Sequence, residues 1–175
     1  MNKIFEKLTN QLTETIDSSV ALALHNKNQE VEVIHLIWAL LSNTNSVLNQ
    51  LLNKMNVNKV AIELEAKSYA SKLPSVSSVT KENIKLSRNL VSSLQNAEGL
   101  MASFGDKFIA VDTWLISNFD SQIMKDVLGK YLDLREAKKE LEAMRAGKTI
   151  DSNSGDENLE ALNKYGIDLN KKAID

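Results

Sequence analysis

The chain has 175 residues and a mass of 19.5 kDa, with 43% hydrophobic and 25% charged residues, which suits one cored domain with or without a tail and excludes a peptide or a wholly disordered segment. It contains no cysteine, so disulfides, thiol nucleophiles and cysteine metal sites are ruled out and a reducing, cytoplasmic setting is expected. A formal net charge of −2 and a pI near 5.8 provide no basic field for nucleic acid; the N-terminal MNKIFEKLTNQL lacks a signal-peptide core, and no run approaches the roughly 20 apolar residues that cross a bilayer.

One proline, Pro74, and six glycines leave few chain breakers, and the abundance of Leu, Ala, Lys and Glu predicts an all-α fold. Ile4, Leu8, Leu12, Ile16, Val20 and Leu24 recur at every fourth position and predict a first helix of about twenty residues. Asn26, Asn28 and Gln29 interrupt it. Ile34, Leu36, Ile37, Trp38, Ala39, Leu40 and Leu41 then form a segment apolar on nearly every side, as a central helix requires. Short helices are expected over 45–54 and 58–73, the second closing before Pro74. Residues 73–80, LPSVSSVT, divide the chain.

The pattern restarts with Leu86, Leu90, Leu94, Ala97, Met101 and Phe104, and ends at Gly105 and Asp106. A short apolar helix carries Val111, Trp114, Leu115, Ile116 and Phe119, and the stretch from Leu132 to Ala146 is a charged helix with an expected Lys138–Glu142 pair. The two halves superpose at an offset of 78 residues: Leu8, Leu12, Ile16 and Val31 fall on Leu86, Leu90, Leu94 and Ile109, and Leu36, Ile37, Trp38 and Leu41 on Trp114, Leu115, Ile116 and Phe119. After a small slip, Glu63–Ala66 falls on Glu140–Ala143. Two such units about a pseudo-twofold axis make one domain, with a groove expected where they meet.

Catalytic patterns are thin. Gly147-Lys148-Thr149 has the end of a phosphate-binding loop, but Glu142 stands where its first glycine is needed, and Gly147 reads more simply as a helix C-cap. His25 and His35 form no metal-ligand spacing, and His35 is expected to be a hydrogen-bonded core residue. No nucleophile elbow or acid–base pair stands out, so neither enzymatic activity nor a cofactor or metal is expected of this chain. Trp38 and Trp114 read as core anchors. Leu100 falls off the buried stripe close to Asp106 and Asp112; an exposed apolar residue beside carboxylates would suit unfolded segments bearing apolar and basic side chains.

Four stretches carry a family resemblance: LTNQL at 8–12, IHLIWALL at 34–41, FGDKFIAVD at 104–112 and LNKYGIDL at 162–169. With them the chain resembles the N-terminal domain of the ClpB family of AAA+ disaggregases, a tandem pair of four-helix Clp repeats. The resemblance implies repeats at about 1–73 and 80–148, a flexible linker at 149–158, and the truncated start of an ATPase module at 159–175. It implies substrate-binding roles for Thr9, Asp106 and Asp112, beside Leu100. The helix-opening Glu-His of the repeat is Ile34-His35 in the first copy and Asp112-Thr113 in the second, so the acid's role passes to Asp112 alone. Thr9 as a solvated helix residue, and the two acids as turn and helix-start residues, are the simpler alternatives.

For the full-length protein the resemblance implies ATP and magnesium, a homohexamer, a DnaK-type chaperone partner reached through a middle domain, and unfolded or aggregated client proteins. The implied function is capture of exposed apolar segments and their delivery to the hexamer pore. The alternatives are an adaptor-docking domain of a Clp protease unfoldase and a helical hydrolase. No nucleic-acid or membrane partner is expected.

Overall fold

Short polar side chains start the helices of this chain. Thr9, Ser46, Asn58 and Ser87 each accept a hydrogen bond from the backbone N–H three residues on, satisfying one of the donors that a helix N-terminus leaves unpaired. A computed structural model describes residues 3–145 and 148–155. Repeat one contains α1 (Asn10–His25), α2 (Val33–Ser42), α3 (Val47–Lys54) and α4 (Lys59–Ser71); repeat two contains α5 (Arg88–Phe104), α6 (Val111–Asn118), α7 (Gln122–Val127) and α8 (Leu134–Arg145). The first helix starts later than its stripe suggests. Thr9 caps it, and Ile4 and Leu8 are buried from a 3-10 turn over Lys3–Lys7 and the residue that follows it. Helix α7 was not resolved by periodicity.

The central helices are α2 and α6. Helix α2 touches α1, α3, α4 and α5, and α6 touches α3, α5 and α8, so their apolar residues are enclosed from several directions. Trp114 is fully buried and donates its indole N–H to Ser93 Oγ at 2.9 Å; Trp38 is half-buried against the same core.

The repeats are crossed at the backbone. Strand β1 (Glu30–Val31) pairs in parallel with β2 (Lys85–Leu86), placing Val31 opposite Leu86. A parallel bridge joins Leu8 to Ile109. At the offset of 78, Leu8 is the counterpart of Leu86 and Val31 that of Ile109, so each repeat's leading residue pairs with the other repeat's middle. Lys27 and Gly105, also equivalent, both turn with positive φ, 56° and 74°. Late in the repeats the offset shortens. Ile62, Ala66 and Ala70 of α4 are buried as Ala137, Leu141 and Arg145 of α8 are, an offset of 75 that corrects the pairing of Glu63–Ala66 with Glu140–Ala143.

Two buried polar centres occupy equivalent places. In repeat one, the fully buried His35 accepts the Glu32 N–H at Nδ1, 2.9 Å, which leaves Nε2–H to donate to Asn28 Oδ1 at 2.8 Å. In repeat two, Asp106 replaces Asn28, Asp112 replaces Ile34, and Arg145 replaces Ala70. Arg145 donates from Nε to Asp112 Oδ2 at 2.9 Å and from Nη2 to Thr113 Oγ1 at 3.1 Å, and its Nη atoms also bond Asp106 and Asp112. The guanidinium lies 5.1 Å from the Phe104 ring centroid. Burial alone would lower the Arg145 pKa, but the hydrogen bonds and charges of Asp112 and Asp106 outweigh it and hold it above the usual value.

The expectation of a free linker from residue 149 gives way at Ile150. Its side chain is 1% exposed against Ala110 and Phe108, its N–H donates to Asp106 Oδ1 at 2.8 Å, and its carbonyl accepts from Lys107 N at 2.7 Å. Further on, Asn153 O accepts the N–H of Asn10 at 2.6 Å. Repeat one closes in the same manner, with Ser75 bridged to Asn28 and Val76 N donating to Lys27 O at 2.7 Å. The segment thus packs onto repeat two and closes it. Gly147 and the ATPase-like stretch 159–175 lie outside the described residues.

Removing one member of a buried ion cluster strands the others, so Arg145→Leu should cost about 3–5 kcal/mol in urea denaturation. Converting the cluster to the set in repeat one, Asp106→Asn with Asp112→Ile and Arg145→Ala, should recover at least half of that loss, because no charge is then left unpaired. His35 gives a pH test. Burial lowers its pKa from 6.5 to about 4; the unfolded chain therefore takes up the proton first, and stability falls as pH drops from about 6.5 towards 4, at up to about 1.4 kcal/mol per pH unit. The stability difference between wild type and His35→Gln should be flat above pH 7 and shrink across that window.

Candidate functional site

An open groove of about 990 Å³ is lined entirely by repeat two, whereas the sequence suggested a groove where the repeats meet. Helix α5 supplies Asn96, Gly99, Leu100 and Ser103, a spacing of threes and fours that puts them on one face. The end of α6 and the residues after it add Ile116 and Phe119, and Leu132 and Leu134 come from the α7–α8 connection and the start of α8. Ile116 and Phe119 form a buried floor, and Leu100, Leu132 and Leu134 are half-buried with one side towards the core.

Two glycines shape the walls. A Cβ at Gly129 would lie 2.6 Å from Lys125 O, so the tight turn after α7 excludes any side chain there. Gly99 has no such reason: a Cβ there would meet nothing within 4 Å. A glycine inside a helix costs stability relative to alanine, and here it leaves bare backbone facing the groove. Its counterpart in repeat one is Ala21, which lines a smaller depression of about 500 Å³ with Ser18, Leu22, His25, Ala39, Ser42 and Asn43. Most of these are the counterparts of groove residues at the offset of 78.

The structure separates the residues singled out from sequence. Leu100 lies in the groove, half-buried instead of fully exposed. Asp106 and Asp112 come together on Arg145, whereas Thr9 lies at the Leu8–Ile109 crossing. Thr9 is fully buried, capping α1 through Leu12 N at 3.2 Å and donating its N–H to Ile109 O at 3.0 Å; Ser87 makes the equivalent cap on α5 at 3.1 Å. Asp106 and Asp112 are 6% and 5% exposed and bound to Arg145. All three residues are therefore buried with their polar atoms engaged inside the domain. The carboxylates expected beside Leu100 are turned inward because Arg145, far along the chain on α8, takes them.

The groove's charges come from positions that the sequence did not single out for binding. Lys125, Arg135 and Lys138 line it, with Asp120 and Asp133. Asp133 Oδ1 accepts from the backbone N–H of Arg135 at 2.9 Å and Glu136 at 3.3 Å, so it is committed to the start of α8. No Lys138–Glu142 pair forms; Lys139 pairs with Glu136 at 3.8 Å. Among the described residues no group of three His, Cys, Asp or Glu is placed to hold a metal, and no helix is long and apolar enough to cross a membrane.

This arrangement has known relatives. Residues 7–131 match the Clp repeat (R) N-terminal domain family. The chain is 56% identical over 171 residues to the chaperone protein ClpB of Wolinella succinogenes and 51% identical over 172 residues to that of Helicobacter hepaticus, covering 98% of this chain and 20% of either relative. It therefore spans about a fifth of the length of these relatives. Its fold matches the Hsp104 N-terminal domain of Candida albicans with a TM-score of 0.77, 20% identity, and coverage of 86% of this chain and 99% of that one. It also matches a ClpV N-domain in complex with a VipB peptide, with a TM-score of 0.60, 19% identity, and coverage of 78% and 86%. The chain belongs to the Clp repeat N-terminal domain family.

Proposed function

We propose that this domain captures exposed apolar segments of unfolded or aggregated proteins in the repeat-two groove, as the N-terminal module of a ClpB-type disaggregase. The observation that carries the reading is the groove itself, where half-buried leucines surround a stretch of helix left bare at Gly99. An extended or helical segment could bury apolar side chains against Leu100, Leu132 and Leu134 while its backbone approaches α5 closely. The ClpB relatives support the setting, and the ClpV N-domain complex supports peptide docking on this fold. In this reading ATP hydrolysis, hexamer assembly and contact with a DnaK-type chaperone belong to other parts of the full-length protein in the cytoplasm. The domain itself performs no chemistry, and its affinity is weak enough for a captured segment to be passed on. Docking of one dedicated adaptor peptide is the second reading, favoured by the single defined peptide of the ClpV complex.

Chemical-shift perturbation with a permanently unfolded client tests the proposal. Shifts should map to α5 and α8 around the groove. Leu100→Ser should weaken binding about tenfold while costing about 1 kcal/mol of stability, since only part of the side chain is packed. Leu94→Ser, on the fully buried stripe, should cost at least about 2–5 kcal/mol. Gly99→Ala separates binding from stability most cleanly, because it should stabilise the helix by about 0.5–1 kcal/mol and still weaken client binding. If Leu100→Ser and Gly99→Ala bind clients as wild type does, the groove is not the docking site.

A further inference from the structure

The proposed groove leaves open which apolar segments it accepts, and its charges bear on that question. We infer that the groove selects apolar segments flanked by carboxylates, through an electropositive rim formed by Lys125, Arg135 and Lys138. The inference rests on the docking reading above and extends it to a class of ligand.

The three cations come from two separate elements, α7 and the first turns of α8, and all line the same depression. All three are exposed, and none forms an ion pair within 4.0 Å among the described residues. Two carboxylates, Asp120 and Asp133, also line the groove; Asp133 is turned to the backbone N–H groups at the start of α8, and the three cations outnumber the two acids by one charge. The acids that could have reversed this balance, Asp106 and Asp112, are buried and bound to Arg145. The groove is thus a locally basic site on a chain whose formal net charge is −2. The equivalent depression of repeat one provides a contrast on the same scaffold. There Ser18, Ser42 and Asn43 stand with His25, and no lysine or arginine lines it. The basic rim therefore does not come with the repeat architecture; it is particular to repeat two.

An apolar segment with an acidic residue on either side would seat its hydrophobic side chains on Leu100 and Leu134 and bring its carboxylates to the rim, whereas a segment flanked by lysines would meet like charge there. This is the opposite of the basic preference that the sequence suggested for carboxylates near Leu100.

Three fluorescent peptides with one common apolar core, flanked by Glu, Gln or Lys, test the inference by polarisation. Affinity should fall in the order Glu, Gln, Lys, with about a tenfold span at low salt, and the span should collapse in 0.5 M salt as the rim is screened. Lys125→Glu with Arg135→Glu and Lys138→Glu should reverse the order while leaving the melting temperature nearly unchanged, because these side chains are exposed. The same charge change placed away from the groove, Lys67→Glu with Lys72→Glu and Lys81→Glu, should leave the order intact, which separates the rim from net charge. Equal binding of the three peptides, or an order insensitive to the rim reversal, would overturn the selectivity. The Gln peptide keeps the two readings apart: if it binds and Leu100→Ser weakens it, docking stands whatever the charge order, and if it does not bind, docking itself fails.

Discussion

The architecture depends on a crossed backbone exchange. Leu8 of repeat one is bridged to Ile109 of repeat two, and Val31 of repeat one lies opposite Leu86 of repeat two. Each of these short pairings sits immediately before a helix, so the hydrogen bonds that join the repeats also fix where α1, α2, α5 and α6 begin. Buried backbone groups must be paired, and here a repeat standing alone would leave its leading residues without partners. The two halves are consequently one folding unit, although each carries its own set of four helices. The same exchange orients α5 and α6, whose outer surfaces form the groove.

Around this symmetric frame the repeats differ in how they solve one problem, the anchoring of the segment that follows the last helix. Repeat one uses a neutral solution, with Asn28 held by His35 and by Pro74 O. Repeat two uses charge, with Asp106 holding both Arg145 and the backbone of Ile150. A buried ion cluster gives little net stabilisation over an apolar one, but it is exacting in geometry. It also removes two carboxylates from the surface beside the groove. The electrostatic character of the groove is therefore a by-product of how the second repeat is closed.

Much of this was legible in the sequence. The fourfold stripes, Pro74 and the offset of 78 gave the helices, the break and the tandem order, because burial follows periodicity and each repeat has to bury the same face. Other features were not legible, for physical reasons. An aspartate in a turn looks the same whether it is solvated or paired, and the partner of Asp112 stands 33 residues away. The resemblance implies a linker from 149, and Ile150, which packs against Ala110 and Phe108, has no periodic company to reveal its burial. The shift from an offset of 78 to 75 arises at α6, which is two residues shorter than α2 and is followed by a connection one residue shorter, and a fixed offset hid it. The position of the groove needed the three-dimensional packing of α6 against α5 and α8, which no local pattern encodes.

The hydrogen bond between Asn10 and Asn153 has a mechanical consequence. It brings the start of the first helix and the last described stretch of chain to one point, so that the path of the polypeptide into the domain and the path out of it run side by side. Traction applied between those two points would act at once on the Leu8–Ile109 crossing beside Asn10 and on the segment held by Asn153 and Ile150. Leu8 and Ile109 are packed in the main core, whereas Ile150 packs only against Ala110 and Phe108, so the segment is the part that would open first and lengthen the tether while the two repeats stayed folded.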